Sequence, residues 1–207
     1  MDNIIVTSGG FNSINNYVSD ENIELFKKIS EGKKVIIIAN AAPVGSGNYI
    51  ARENVKENFL KVGATSCDIV DLDIDTVNKI LDYDVIYMLG GNVGKLLELN
   101  QNTNIKEIII KFLEKGIYIG ESAGSMILSK SVKYIYDLKK GTKPKYSVIY
   151  DSYEGFGLID IYILPHYQKE DMMMDEKVKN YELENNIKLT KLNDGEIITY
   201  NYNKEGV

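Results

Sequence analysis

Short apolar runs recur along the chain at intervals that leave room for about one helix between neighbours. Runs rich in valine and isoleucine lie at residues 4–7, 34–39, 67–71, 85–89, 117–119 and 158–164. Most are continuous rather than alternating, as expected of strands covered on both faces in a parallel sheet. Between several of them, residues 22–29, 48–62, 75–81 and 104–114 mix apolar and polar positions over helical lengths. Strand and helix in alternation predict an α/β fold with a mostly parallel sheet and helices on both faces. The tail, 188–202, places Asn193-Asp194-Gly195 between two apolar runs and predicts a C-terminal β-hairpin. No repeat, linker or low-complexity tract interrupts the pattern. With 207 residues and 44% hydrophobic content, residues 1–207 are expected to form a single domain with one substantial core.

Charge and composition narrow the function. A formal net charge of −6, with no basic stripe interleaved with aromatics, argues against a nucleic-acid partner. No stretch approaches the roughly 18–20 apolar residues of a membrane span. The N-terminus is acidic at Asp2 and its apolar run is too short for a secretion signal, so a cytoplasmic location is expected by elimination. The single cysteine, Cys67, excludes an intrachain disulfide and sits in a strand-like run as a small core residue. Met172-Met173-Met174 is expected to fill irregular packing. One histidine and one cysteine offer no zinc-ligand spacing, and no loop follows the EF-hand pattern. The expected chemistry uses no metal or cofactor.

Candidate chemistry concentrates where the run at 117–119 enters Gly120-Glu121-Ser122-Ala123-Gly124. This is the G-x-S-x-G pattern between a strand and a helix. A serine on so sharp a turn needs small residues two positions either side, because Cβ atoms would otherwise collide. A nucleophile elbow is the leading reading of Ser122; the plain alternative is tight strand–helix packing with Ser122 as an N-cap. A serine hydroxyl needs a general base, and the only histidine, His166, closes the 158–164 run at a strand end. For the carboxylate that orients the imidazole, Asp137 lies between the two and is preferred, with Asp151, Glu154 and Asp160 as competitors. The run 85–89 ends in Gly90-Gly91-Asn92, a turn able to expose backbone N–H groups. Gly91 and Ala123 are the expected oxyanion donors. Gly90, Asn92 and Glu121 are the expected substrate contacts. A phosphate loop at 90–95 is rejected, because its G-x-x-x-G-K spacing is one residue short and Leu96 stands where Ser or Thr must meet magnesium.

These motifs together, the Gly90-Gly91-Asn92 turn, Tyr118-Ile119-Gly120-Glu121-Ser122-Ala123-Gly124, Asp137 and Leu164-Pro165-His166-Tyr167, resemble peptidase E, the α-aspartyl dipeptidase family, whose relatives include cyanophycinase. The resemblance runs in register from the first strand to about Tyr202. It implies a flavodoxin-like three-layer sandwich related to class I glutamine amidotransferases, a Ser-His-Asp triad, and removal of an N-terminal residue or dipeptide from short peptides. A short peptide substrate is expected, with the chain a monomer or homodimer. Specificity for N-terminal aspartate calls for a cation in the pocket, yet the only arginine is Arg52, far upstream. The lysine-rich segment 139–145 is the alternative basic element, read as a loop over the site. Two other classes stay open: an esterase or other acyl hydrolase with the same triad, as in α/β-hydrolases, and a non-catalytic binding module on this fold.

Overall fold

The computed structural model describes residues 2–11, 19–43, 49–167 and 172–202. In chain order its elements are β1 (Ile4–Thr7), α1 (Asp20–Ser30), β2 (Lys34–Ile38), α2 (Tyr49–Lys61), β3 (Ser66–Val70), β4 (Val85–Met88), α3 (Val93–Thr103), α4 (Ile105–Phe112), β5 (Ile117–Glu121), α5 (Ala123–Met126), α6 (Lys133–Lys139), β6 (Tyr162–Pro165), α7 (Met172–Asn185), β7 (Leu189–Leu192) and β8 (Ile197–Tyr200). Where the sequence reads as a helix over 75–81, the structure has a 3-10 helix, Val77–Asp82.

Six strands form the main sheet in the order β3-β2-β4-β5-β1-β8, all parallel except β8, which runs antiparallel to β1. Successive side chains on each strand enter opposite layers. Ile4, Val6, Ile36 and Ile38 pack toward α3 and α4, against residues such as Leu96 and Ile109. Ile5, Val35, Ile37 and Tyr87 face α1 and α2 and meet Phe26, Val55 and Phe59. The result is an α/β fold with helices on both sides of a mostly parallel sheet, as the alternation of apolar runs predicts. Of the methionine run, Met174 packs in the core, while the side chains of Met172 and Met173 lie outside the described residues.

The C-terminal hairpin is corrected. Both strands form, but β7 pairs in parallel with β6 in a separate two-stranded sheet, whereas β8 joins the edge of the main sheet beside β1. The turn residues bridge two sheets instead of closing a ladder, because each strand has a long-range partner. The apolar run at 158–164 also behaves differently along its length. Only Tyr162–Pro165 is strand. The backbone N–H groups of Phe156 and Leu158 instead donate to Ile127 and Leu128, tying this approach segment to the stretch after α5.

Register decides where the chemistry gathers. Thr7 sits opposite Glu121, and Met88 opposite Gly120, so Ser8, Leu89 and Ser122 leave the sheet side by side at its C-terminal edge. Pro165 sits opposite Leu192, so the residues after β6 and β7 also emerge together. In parallel α/β sheets this edge is where ligands bind.

Candidate active site

The elbow forms as its small residues require. Ser122 has φ 47° and ψ −103°, a conformation that non-glycine residues seldom adopt. A Cβ on Gly124 would lie 2.1 Å from the Met88 carbonyl oxygen, and one on Gly120 would lie 2.6 Å from that of Gly124. The turn is braced from beneath. Tyr118 Oη donates to the Gly124 carbonyl (2.7 Å), while Ser125 Oγ lies 2.7 Å from each of the Thr7 and Gly120 carbonyls and accepts from Thr7 N–H. Ser122 makes no side-chain cap bond to α5. Its Oγ instead lies 3.0 Å from His166 Nε2.

His166 follows β6 with φ 60°, a second strained position on the same side of the site. Its Nδ1 lies 2.6 Å from Asp194 Oδ1. Asp194 belongs to the turn between β7 and β8, and its side chain is only 4% exposed. Ser8 ties the two together: its hydroxyl accepts from the His166 backbone N–H (2.7 Å) and donates to Asp194 Oδ1 (2.8 Å). Ser8 is fully buried.

Asp137, the expected partner of the imidazole, is not there. It lies on α6, where its carboxylate accepts from Lys133 Nζ (2.6 Å) and Tyr181 Oη (3.0 Å). Helical spacing explains this, because Lys133 and Asp137 stand four residues apart on one face. Among the competitors, Asp160 pairs with Lys130, and Asp151 and Glu154 are exposed. Asp194 and Ser8 were missed. The signal available for Asp194 was a carboxylate immediately after an apolar run, at what would be the C-terminal end of a parallel strand; reading 188–202 as an antiparallel hairpin hid it.

A cavity of about 520 Å³ opens beside the serine, within the range of small-molecule sites. Gly90, Gly91, Ala123, Glu121, Ser122 and His166 are in its wall. Gly91 has φ 138° and approaches so closely that a Cβ would lie 2.2 Å from the Ala41 carbonyl oxygen. Asn92, expected to contact substrate, is instead the N-cap of α3, its side chain accepting from Gly94 N–H (3.0 Å). Opposite the glycines, Lys139, Thr142, Lys143 and Lys145 supply the far wall, so the 139–145 segment does border the site. Lys145 Nζ donates to the Gly91 carbonyl (2.9 Å). Burial, reinforced by the neighbouring Lys143 and Lys139, pulls its pKa down to about 8.

The sequence pattern of peptidase family S51 matches residues 4–205. The chain belongs to peptidase family S51. An uncharacterized peptidase of Listeria innocua is 32% identical over 151 residues, 69% of this chain and 68% of its own length. Peptidase E of Streptomyces coelicolor is 26% identical over 129 residues, 58% of this chain and 50% of its own. Among solved structures, a Listeria monocytogenes protein assigned provisionally to peptidase E superposes with a TM-score of 0.75 at 24% identity, covering 97% of this chain and 94% of that one. A peptidase from an acI-B1 actinobacterium superposes with a TM-score of 0.68 at 19% identity, covering 96% and 82%. This chain is therefore a hydrolase of peptide bonds on the peptidase E fold.

Other polar groups of this S51 peptidase are otherwise engaged. Arg52 is buried and holds Asp71 at 3.1 Å together with the Ala39 and Ala42 carbonyls, a structural role. Burial pushes the Cys67 thiol up to about 12, leaving it unreactive. Among the described residues no group of three or more His, Cys, Asp or Glu side chains could hold a metal ion, and no helix is long and apolar enough to cross a membrane.

Glu121 is different. Its carboxylate accepts from Tyr87 Oη (2.6 Å) and from the Gly90 N–H. Burial, with Asp194 nearby adding repulsion, raises its pKa from 4.5 to about 7. Ionising it therefore costs more in the folded chain than in the unfolded one. The cost is absent below the unfolded pKa, grows as pH rises and is complete above the folded value. Relative to Glu121→Gln, the wild type is expected to lose about 2 kcal/mol of stability between pH 5 and pH 8. Urea unfolding of both proteins at the two pH values measures this; parallel behaviour would show that the carboxylate ionises freely.

Proposed function

We propose that this peptidase is a serine-dependent hydrolase of short peptides, working through an acyl-enzyme held by Ser122, His166 and Asp194. The observation that carries the reading is the continuous chain of contacts, 3.0 Å from Ser122 Oγ to His166 Nε2 and 2.6 Å from His166 Nδ1 to Asp194 Oδ1, in the wall of a cavity. His166 Nε2 takes the proton from Oγ as the oxygen attacks the scissile carbonyl. Asp194 accepts from Nδ1–H, fixes the tautomer that leaves Nε2 basic, and compensates the imidazolium. The backbone N–H groups of Gly91 and Ala123, both in the cavity wall, receive the oxyanion. The imidazolium returns its proton to the departing amine, and water, deprotonated by the same imidazole, releases the acyl group. The order along the chain is serine, histidine, aspartate, unlike the serine, acid, histidine order of α/β-hydrolases.

The finer reading is preference for an N-terminal aspartate. Lys145 supports it, because a charged ammonium in this wall supplies the cation that the structurally committed Arg52 does not. Lysine supplies a point charge rather than a bidentate fork, so aspartate and glutamate are separated less sharply than an arginine would separate them. The test is hydrolysis of X-Leu dipeptides, X being Asp, Glu, Ala or Lys, with Ser122→Ala alongside. Turnover of the Asp member above the others, abolished in the variant, is expected. Turnover that persists in Ser122→Ala, or a silent wild type on every member, would sink the proposal.

Ser8 enters as a positioning residue. Ser8→Ala leaves the His166 N–H without its acceptor and removes a donor from Asp194, a loss of about 1–3 kcal/mol for buried groups. In the active enzyme kcat is expected to fall about ten-fold or more with KM nearly unchanged. A lower melting temperature with kcat intact would show that Ser8 only supports the fold.

A further inference from the structure

Resting on that reading of Ser122, we infer that Glu121 is the recognition group for the free α-ammonium of the substrate's N-terminal residue, making the enzyme selective for acyl groups that carry an unblocked amine.

The argument begins with where the carboxylate stands. The point a Cβ of Gly90 would occupy is 2.9 Å from Glu121 Oε1 and 3.1 Å from Ser122 Cβ, so carboxylate and nucleophile share one small stretch of cavity wall. In a substrate the α-nitrogen is two bonds from the carbonyl carbon that the serine attacks. When that carbon is within about 3–3.5 Å of Oγ, the nitrogen is necessarily close to the serine as well. A group that recognises the N-terminal amine must therefore stand beside the nucleophile, and among the described residues Glu121 is the acidic side chain in this wall.

The carboxylate is also held in place before any ligand arrives. Tyr87 Oη donates to Oε2, and Tyr87 itself accepts from the Phe11 N–H (2.8 Å). Gly10 and Gly90 flank the carboxylate so closely that a Cβ on either would come within 2.7 Å or 2.9 Å of its oxygens. An ionised carboxylate offers about four acceptor positions, and Tyr87 and Gly90 take two. Among the described residues both of these donors are neutral, and neither ion pairs nor hydrogen bonds link Glu121 to lysine or arginine. A carboxylate desolvated and left with neutral partners is unfavourable in the empty protein. An ammonium entering the cavity supplies the missing opposite charge, in surroundings where such a pair is stronger than in water. A purely structural role, holding Tyr87, would be met equally by glutamine and gives no reason to aim a carboxylate at the cavity.

The inference separates from the hydrolytic reading in a binding experiment on Ser122→Ala, which cannot turn over. Asp-Leu and its des-amino analogue succinyl-Leu, and Ala-Leu and propionyl-Leu, are titrated calorimetrically at pH 8. The free amine is expected to bind at least ten-fold more tightly than its des-amino partner. Adding Glu121→Gln removes that preference, weakening the amines and leaving the des-amino ligands unchanged. Tyr87→Phe, which keeps the charge, retains the preference. Glu121→Asp, which withdraws the charge by one methylene, retains part of it and serves should the glutamine variant fold poorly. Equal binding of amine and des-amino ligands, absence of binding by every ligand, or a preference that survives Glu121→Gln overturns the inference. If the preference holds and depends on Glu121 while the wild type hydrolyses nothing, the hydrolytic reading fails alone. If hydrolysis depends on Ser122 but amine selectivity does not depend on Glu121, the inference fails alone.

Discussion

Ser122→Ala is expected to lower kcat for the best dipeptide by about 10⁶-fold, leaving only the residual acceleration that the oxyanion donors and binding supply. The size follows from the mechanism, because without Oγ no acyl-enzyme forms and His166 has no proton to remove. The fold should survive the change. Ser122 makes no side-chain bond to α5, and the turn is braced by Ser125, Tyr118 and the backbone of Gly120 and Gly124 rather than by the nucleophile. Alanine at φ 47° carries strain similar to that of serine, so the melting temperature is expected to stay within a few degrees. Single-turnover kinetics with wild type and variant at equal concentration measure the ratio. A loss of less than about 100-fold would place the nucleophile elsewhere.

Asp194→Asn is expected to lower kcat about 10⁴-fold, whereas Asp137→Asn changes it less than two-fold. The asparagine keeps the shape of the side chain. It can present N–H to His166 Nδ1, and the imidazole then carries its proton on Nε2, the atom that must accept from Ser122. The 2.6 Å contact between Nδ1 and Asp194 makes this tautomer switch the direct result of the substitution. KM should move little, because Asp194 sits behind the imidazole, away from the bound peptide. Among the described residues Asp137 bonds only to Lys133 and Tyr181, on the surface of α6 and α7, where its neutralisation affects an exposed ion pair of small energy. Measuring both variants on one substrate tests the assignment; equal losses, or a larger loss at Asp137, would reverse it.

The contrast between these two aspartates shows which kind of information lies along the chain. The elbow was legible because its chemistry sits within five consecutive residues. Gly120 is required by a 2.6 Å approach to the Gly124 carbonyl within the turn itself, to which the structure adds a 2.1 Å approach of Gly124 to the Met88 carbonyl of the neighbouring strand. His166 was legible because it is the only histidine and follows an apolar run. The parallel α/β sheet was legible because strands covered on both faces must be continuously apolar. Arg52 shows the opposite case: its type suggested nothing about Asp71, its partner in a buried ion pair, and sequence could not tell a structural cation from a substrate contact.

What local pattern could not supply was the partner of each C-terminal strand. Asn193-Asp194-Gly195 suits a two-stranded hairpin, and nothing nearby in sequence says otherwise. The outcome was set by competition among distant edges, with β7 taking β6 in parallel and β8 taking β1. With Pro165 opposite Leu192, the residues following the two strands are neighbours, and Asp194 reaches His166 across 28 positions of sequence. Ser8 reaches the same histidine across 158 positions because Thr7 lies opposite Glu121 in the sheet. The elbow turn at Ser122, the place of His166 at a strand end and the fold class thus followed from steric and hydrophobic rules that act over a few residues. The contacts of Asp194 and Ser8 with His166 were decided by strand register, because only pairing between distant segments brings those side chains to one edge.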